Sequence, residues 1–119
     1  MKKILGALLL TMAFAAPASA VDFGGKYKVE GTNINGTKYG GEATITVTSE
    51  TTCEIKWVTG DTTSEGICMR NDDSFAAGYM MGKEVGLVIY KVSPDGVLNG
   101  LWTIAGNGGA GTETLTPMK

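Results

Sequence analysis

The sequence predicts an all-β fold, an eight-stranded antiparallel up-and-down β-barrel held by one disulfide. Three observations predict it. Beyond the first twenty residues Gly and Thr are abundant, and no stretch keeps a helical apolar period for three turns. Eight short stretches with strand character follow one another at near-regular spacing, each joined to the next by tight-turn residues. The only two cysteines, Cys53 and Cys68, fall opposite each other when the segment between them is folded as a hairpin. Eight strands close into a barrel just wide enough for side chains to fill it or for one small ligand. A small β-sandwich is the alternative arrangement.

The chain opens with a targeting segment. Lys2 and Lys3 form a positive n-region, Ile4 to Ala16 an apolar stretch, and Ala18-Ser19-Ala20 a small-x-small cleavage site. Residues 1–20 therefore read as a secretory signal peptide cut after Ala20, and residues 21–119 as one β-barrel domain, periplasmic or secreted. No second long apolar run follows, so no transmembrane helix is expected. Removing Lys2 and Lys3 from the ten basic residues leaves eight against twelve acidic ones, a net charge of −4. With no basic patch, nucleic acid is not an expected partner.

The first strand is Gly25 to Gly31, with Tyr27 and Val29 facing in and Lys26, Lys28 and Glu30 facing out. After the TNING turn, Thr37 to Thr48 alternates, with Tyr39, Ala43, Ile45 and Val47 inward. Strand three points Cys53, Ile55 and Trp57 inward. A turn at Gly60-Asp61 returns the chain as strand four, with Ser64, Gly66, Cys68 and Arg70 inward. That register sets Cys53 against Cys68 at roughly 4.5–5.5 Å between Cα atoms, inside disulfide range. An oxidising compartment favours the bond over two free buried thiols. Closing so short a loop contributes roughly 3 kcal/mol.

An Asn71-Asp72-Asp73-Ser74 turn leads to strand five, Phe75 to Met81, and a Gly82-Lys83 turn to strand six, Glu84 to Val92. These place Phe75 opposite Tyr90 and Tyr79 opposite Gly86. The Pro94-Asp95-Gly96 turn sets Tyr90 opposite Gly100 and Val88 opposite Trp102. Aromatic rings facing glycines across strands make the registers mutually consistent. The Gly106 to Gly111 loop leads to strand eight, Thr112 to Thr116, with Leu115 inward and therefore Glu113 inward too. Charge on the outside of strands one to three argues against a membrane-spanning barrel.

Catalysis has little to work with. The chain has no His and no Ser-x-x-Lys or other nucleophile motif, so no enzyme is expected. Asp72-Asp73 reads as a turn former, and no metal or cofactor is expected. Arg70 and Glu113 are more informative, because an inward charge is costly unless paired. Either the two meet as an internal ion pair that fixes register, or one sits at a barrel mouth; with Trp102 they form the candidate anchor for a small hydrophobic ligand.

The outer face carries the other signal. If Phe75, Val88, Tyr90 and Trp102 point in, then Ile67, Met69, Met80, Val85, Leu87, Ile89 and Leu101 point out. Seven apolar side chains on strands four to seven make a larger patch than most soluble monomers expose. That predicts a protein interface, with a second copy as a homodimer or with another protein, unless a loop or the N-terminal segment covers it. Met69, Met80 and Met81 suit an adaptable surface.

The blocks GKYKVEGTNINGTKYGGEATIT, TTCEIKW, TSEGICMRN, FAAGYMMG, VGLVIYKVSPDGVLNGLWTIAG and GTETLTP resemble small exported alphaproteobacterial proteins that carry the name fibronectin-binding protein. The resemblance covers nearly all of the mature chain. It implies export and the fibronectin-binding family name, beside which the outer face makes an adhesin-like, fibronectin-binding module the first function expected. The strand plan is similar to calycin barrels such as avidins and lipocalins in architecture alone. The expected function is thus binding, first to protein through the outer face. A small-ligand carrier at the barrel mouth and an envelope enzyme inhibitor are the alternatives.

Overall fold

The computed structural model describes residues 23–118. The expected signal peptide, residues 1–20, and its cleavage site lie outside them. The eight strands are β1 Gly25–Thr32, β2 Lys38–Val47, β3 Thr52–Thr59, β4 Thr62–Asn71, β5 Ser74–Met81, β6 Glu84–Val92, β7 Leu98–Ile104 and β8 Gly111–Pro117. Each pairs antiparallel with the next, and β8 pairs with β1 to close the barrel. The expected registers hold at Cys53–Cys68, Ile55–Gly66, Trp57–Ser64, Phe75–Tyr90, Tyr79–Gly86, Tyr90–Gly100 and Val88–Trp102. Tight turns fix them: Gly60 and Gly82 supply the positive φ values of 63° and 64° that short hairpins need. Asp72 does the same at 59° between β4 and β5, while Asp73 meets Lys91 at 3.3 Å. Cys53 and Cys68 form a disulfide with Cα atoms 4.9 Å apart.

The two ends of the barrel differ. At the end bearing the β4–β5 and β6–β7 turns, the interior is packed by Val29, Phe75, Leu98 and Leu115, all fully buried. Phe23 folds over this end. Its ring meets that of Phe75 edge-on at 5.6 Å, and its carbonyl accepts the Tyr27 hydroxyl at 2.6 Å. We call this the plugged end. The other, open end bears the β1–β2 turn and the β7–β8 loop, and the side chains there leave a chamber.

Three expectations of position change. Val47 points along the inward row but lies at the last residue of β2, where no other described residue buries it, and it is exposed. Met81 is not part of the outer face; it follows Met80 by one residue, so it turns inward and lines the chamber. Arg70 does not meet Glu113. It sits near the end of β4 at the plugged end, half-buried, where Nε donates to the Asp72 carbonyl at 2.8 Å. Its guanidinium lies 5.8 Å from the centre of the Phe23 ring, within cation–π range. Alternation fixed the face of Arg70 and left its height along the barrel axis open.

Candidate functional site

Glu113 is the centre of the open-end chamber. One row of paired residues crosses five neighbouring strands: Tyr39 on β2, Gly31 on β1, Glu113 on β8, Gly100 on β7 and Tyr90 on β6. The glycines make the row work. A Cβ on Gly31 would lie 2.5 Å from the Tyr39 ring, and one on Gly100 would lie 2.6 Å from the Tyr90 ring. Each tyrosine therefore lies flat across a glycine and reaches the carboxylate between them. Tyr39 donates its hydroxyl to Glu113 Oε1 at 2.7 Å. Tyr90 donates to Oε2. From farther round the barrel, the Trp57 indole N–H donates to Oε2 at 2.8 Å.

Glu113 is 6% exposed and, among the described residues, receives three donors and no cation. Among the described residues the two ion pairs, Lys28–Glu30 and Lys91–Asp73, lie elsewhere on exposed side chains. Hydrogen bonds to a charged acceptor are about twice as strong as neutral ones, so three of them offset much of the cost of burying the carboxylate. The charge acts back on the phenols. Burial first, and then Glu113, hold Tyr39 and Tyr90 well above the ordinary phenol range. Tyr79 is pushed up to about 12 by burial and by the charges of Glu113 and Glu84.

Above this floor the chamber holds about 340 Å³, lined by Tyr39, Trp57, Tyr79, Met81, Val88 and Trp102, with Asn33, Thr59, Thr62, Ser64 and Glu113 as its polar members. That is the small end of the range for ligand pockets, which are apolar chambers with a few placed polar groups. Trp57 and Tyr79 rings lie 5.2 Å apart and tilted; Tyr39 and Trp102 meet edge-on at 6.2 Å. Ser64 is 7% exposed, and its hydroxyl makes no hydrogen bond to another described residue. Of the residues expected at the mouth, Glu113 and Trp102 line the chamber and Arg70 does not. The tyrosines and Trp57 that hold Glu113 were not singled out from the sequence. The flanking glycines of the row were the available signal, but reading it requires the β1–β8 pairing.

The outer face is as apolar as the alternation predicts. Ile67, Met69, Met80, Val85, Leu87, Ile89 and Leu101 are 48–73% exposed. Ala76 and Gly78 on β5 form a low floor between Ile67 and Met69 on β4 and Leu87 and Ile89 on β6, leaving a trough of about 920 Å³. None of the other described residues covers this face enough to bury it.

No protein-family model matches this chain. No curated protein matches it either. Solved structures do. A redesigned β-barrel superposes with a TM-score of 0.71 at 20% identity, covering 86% of this chain and 95% of its own. The redesigned β-barrel mFAP1, bound to DFHBI, gives 0.69 at 20% identity over 83% of this chain and 96% of its own. A barrel from the de novo design of a fluorescence-activating β-barrel gives 0.65 at 15% identity over 87% of this chain and 100% of its own. At these identities the likeness establishes the fold, a closed eight-stranded antiparallel barrel.

Proposed function

We propose that this chain is an exported, non-catalytic binding protein that takes a small molecule in the open-end chamber of its barrel. The observation that carries the reading is the chamber itself: about 340 Å³ walled by two tryptophans and two tyrosines over a buried carboxylate. The barrels similar to it include ones bound to DFHBI, which supports a small-ligand use of this architecture. The leader at residues 1–20 supports export to the periplasm or beyond. The lack of any His and of a nucleophile motif supports binding over catalysis.

The test is a fragment panel titrated against the mature chain and followed by the two indole N–H signals of Trp57 and Trp102 in NMR spectra. Binders are expected to shift both. A broad panel in which nothing moves either signal refutes the reading.

A second reading rests on the outer face. Seven exposed apolar side chains flanking a trough support a protein partner there, fibronectin, a second copy or an envelope enzyme among them. Leu87→Glu with Ile89→Glu is expected to abolish such contacts. Solution mass and fibronectin capture that are both unchanged by the pair of substitutions would sink this reading.

A further inference from the structure

We propose that the open-end chamber binds a small organic cation, an ammonium or amidinium group on a compact apolar body, with the Glu113 carboxylate as its counter-ion. The inference rests on the reading that the chamber takes a small molecule, and adds the chemistry of that molecule. Four observations carry it.

First, Glu113 lines the chamber and, among the described residues, no basic side chain does. A buried carboxylate ordinarily has a cationic partner, and among the described residues Glu113 has none. Second, its acceptor capacity is incomplete. A carboxylate offers about four lone-pair sites, two on each oxygen. Trp57 and Tyr90 occupy Oε2, while Tyr39 alone donates to Oε1. One site on Oε1 remains for an N–H donor. Third, Ser64 puts into the same chamber a hydroxyl that is 7% exposed and makes no hydrogen bond to another described residue. Buried hydroxyls are rarely left so. An ammonium group carries several N–H donors, which suits a chamber lined by both a carboxylate and a hydroxyl. Fourth, the walls are Tyr39, Trp57, Tyr79 and Trp102. Aromatic faces attract cations through their quadrupoles, most strongly where water is excluded. A neutral aromatic guest would use the walls and leave the carboxylate unbalanced. An anion would meet the negative charge of Glu113 directly.

The chamber's volume of about 340 Å³ limits the guest to a compact body beside the charged group. Met81 and Val88 give the apolar body its contacts, and the half-buried Thr59 and the exposed Thr62 stand at the rim.

The experiment compares matched amines, alcohols and carboxylates on three bodies, phenethyl, butyl and cyclohexylmethyl. Each is titrated against the mature chain by calorimetry and by the Trp57 and Trp102 indole signals. At least one amine is expected to bind tenfold or more tighter than its alcohol, with no carboxylate binding. Glu113→Gln is expected to bring that ratio below threefold. If no amine exceeds its alcohol, or if a carboxylate binds as well as its amine, the cation assignment is overturned and the small-molecule reading stands. If nothing binds in this set or in the wider fragment panel, both fall. The wild-type comparison decides the matter even if Glu113→Gln does not fold. Where it does fold, an undiminished preference for amines overturns the assignment of Glu113.

Discussion

Gly100→Ala is expected to be among the most damaging single-methyl additions in this protein. The new Cβ would lie 2.5 Å from the Ile89 carbonyl oxygen and 2.6 Å from Cδ1 of the Tyr90 ring. The carbonyl belongs to the strand ladder and cannot retreat. The ring is 1% exposed and packed edge-on against Phe75 at 5.8 Å, so it cannot move without disturbing the core. Overpacking of this kind costs about 1–3 kcal/mol. Shifting the ring also withdraws its hydroxyl from Glu113, and a hydrogen bond to a charged group contributes about 1.5–3 kcal/mol. Together the loss is about 2.5–6 kcal/mol, a large part of the roughly 5–15 kcal/mol that holds an ordinary domain folded. Urea unfolding followed by tryptophan fluorescence measures it. Tyr90→Phe alone is expected to cost about 1.5–3 kcal/mol. The double variant should be within about 0.5 kcal/mol of Gly100→Ala, because the displaced ring has already lost its bond. A Gly100→Ala cost below about 1 kcal/mol, or full additivity with Tyr90→Phe, would refute the view that the glycine exists to let the ring reach the carboxylate.

Three other outcomes are expected. Stability should fall as pH rises above about 10: unfolded tyrosines ionise there, whereas folded Tyr90 and the half-buried Tyr39 keep their protons, so the unfolded state binds fewer protons. The buried Tyr90 contributes up to about 1.4 kcal/mol per pH unit and Tyr39 less; denaturant unfolding from pH 9 to 11.5 checks this, and a slope unchanged by Tyr90→Phe contradicts it. Replacing Cys53 and Cys68 by Ala removes a link of sequence separation 15 and is expected to cost about 3 kcal/mol in thermal or chemical unfolding under oxidising conditions. Leu87→Glu, at a side chain 63% exposed, is expected to change monomer stability by no more than about 0.5 kcal/mol, so a large loss would mean that the face is covered.

Most of the strand plan was legible because it is local. Each hairpin register follows from its own turn, so Cys53–Cys68 and Tyr79–Gly86 could be placed from a few neighbouring residues. The outward row from Ile67 to Leu101 follows from the same alternation. The site was only partly legible because it is not local. Alternation turned Glu113 inward, yet its partners Tyr39 and Trp57 lie 74 and 56 residues away. Their meeting depends on the β1–β8 pairing and on which side chains share a height inside the barrel. The same gap explains Arg70, whose inward face was right and whose supposed partner lies toward the other end. Ser64 was placed inward as a small neighbour for Trp57, which its position opposite that residue bears out, but its unengaged hydroxyl emerges only from the packed interior.

The row centred on Glu113 straddles the seam where the first strand meets the last, with Thr32 paired to Thr112. Seven of the eight strand contacts form between neighbours in sequence, whereas this one must close a loop of nearly the whole domain. Contacts of such long range are slow to gain and add little until the barrel is otherwise assembled. The clasp of Tyr39, Trp57 and Tyr90 on Glu113 then acts on the lifetime of the folded barrel more than on the speed of folding. Substitutions at Glu113 are expected to raise the unfolding rate and leave the folding rate nearly unchanged, with φ near zero. Wherever proteases attack the opened barrel faster than it recloses, slow opening of that seam sets how long the molecule survives.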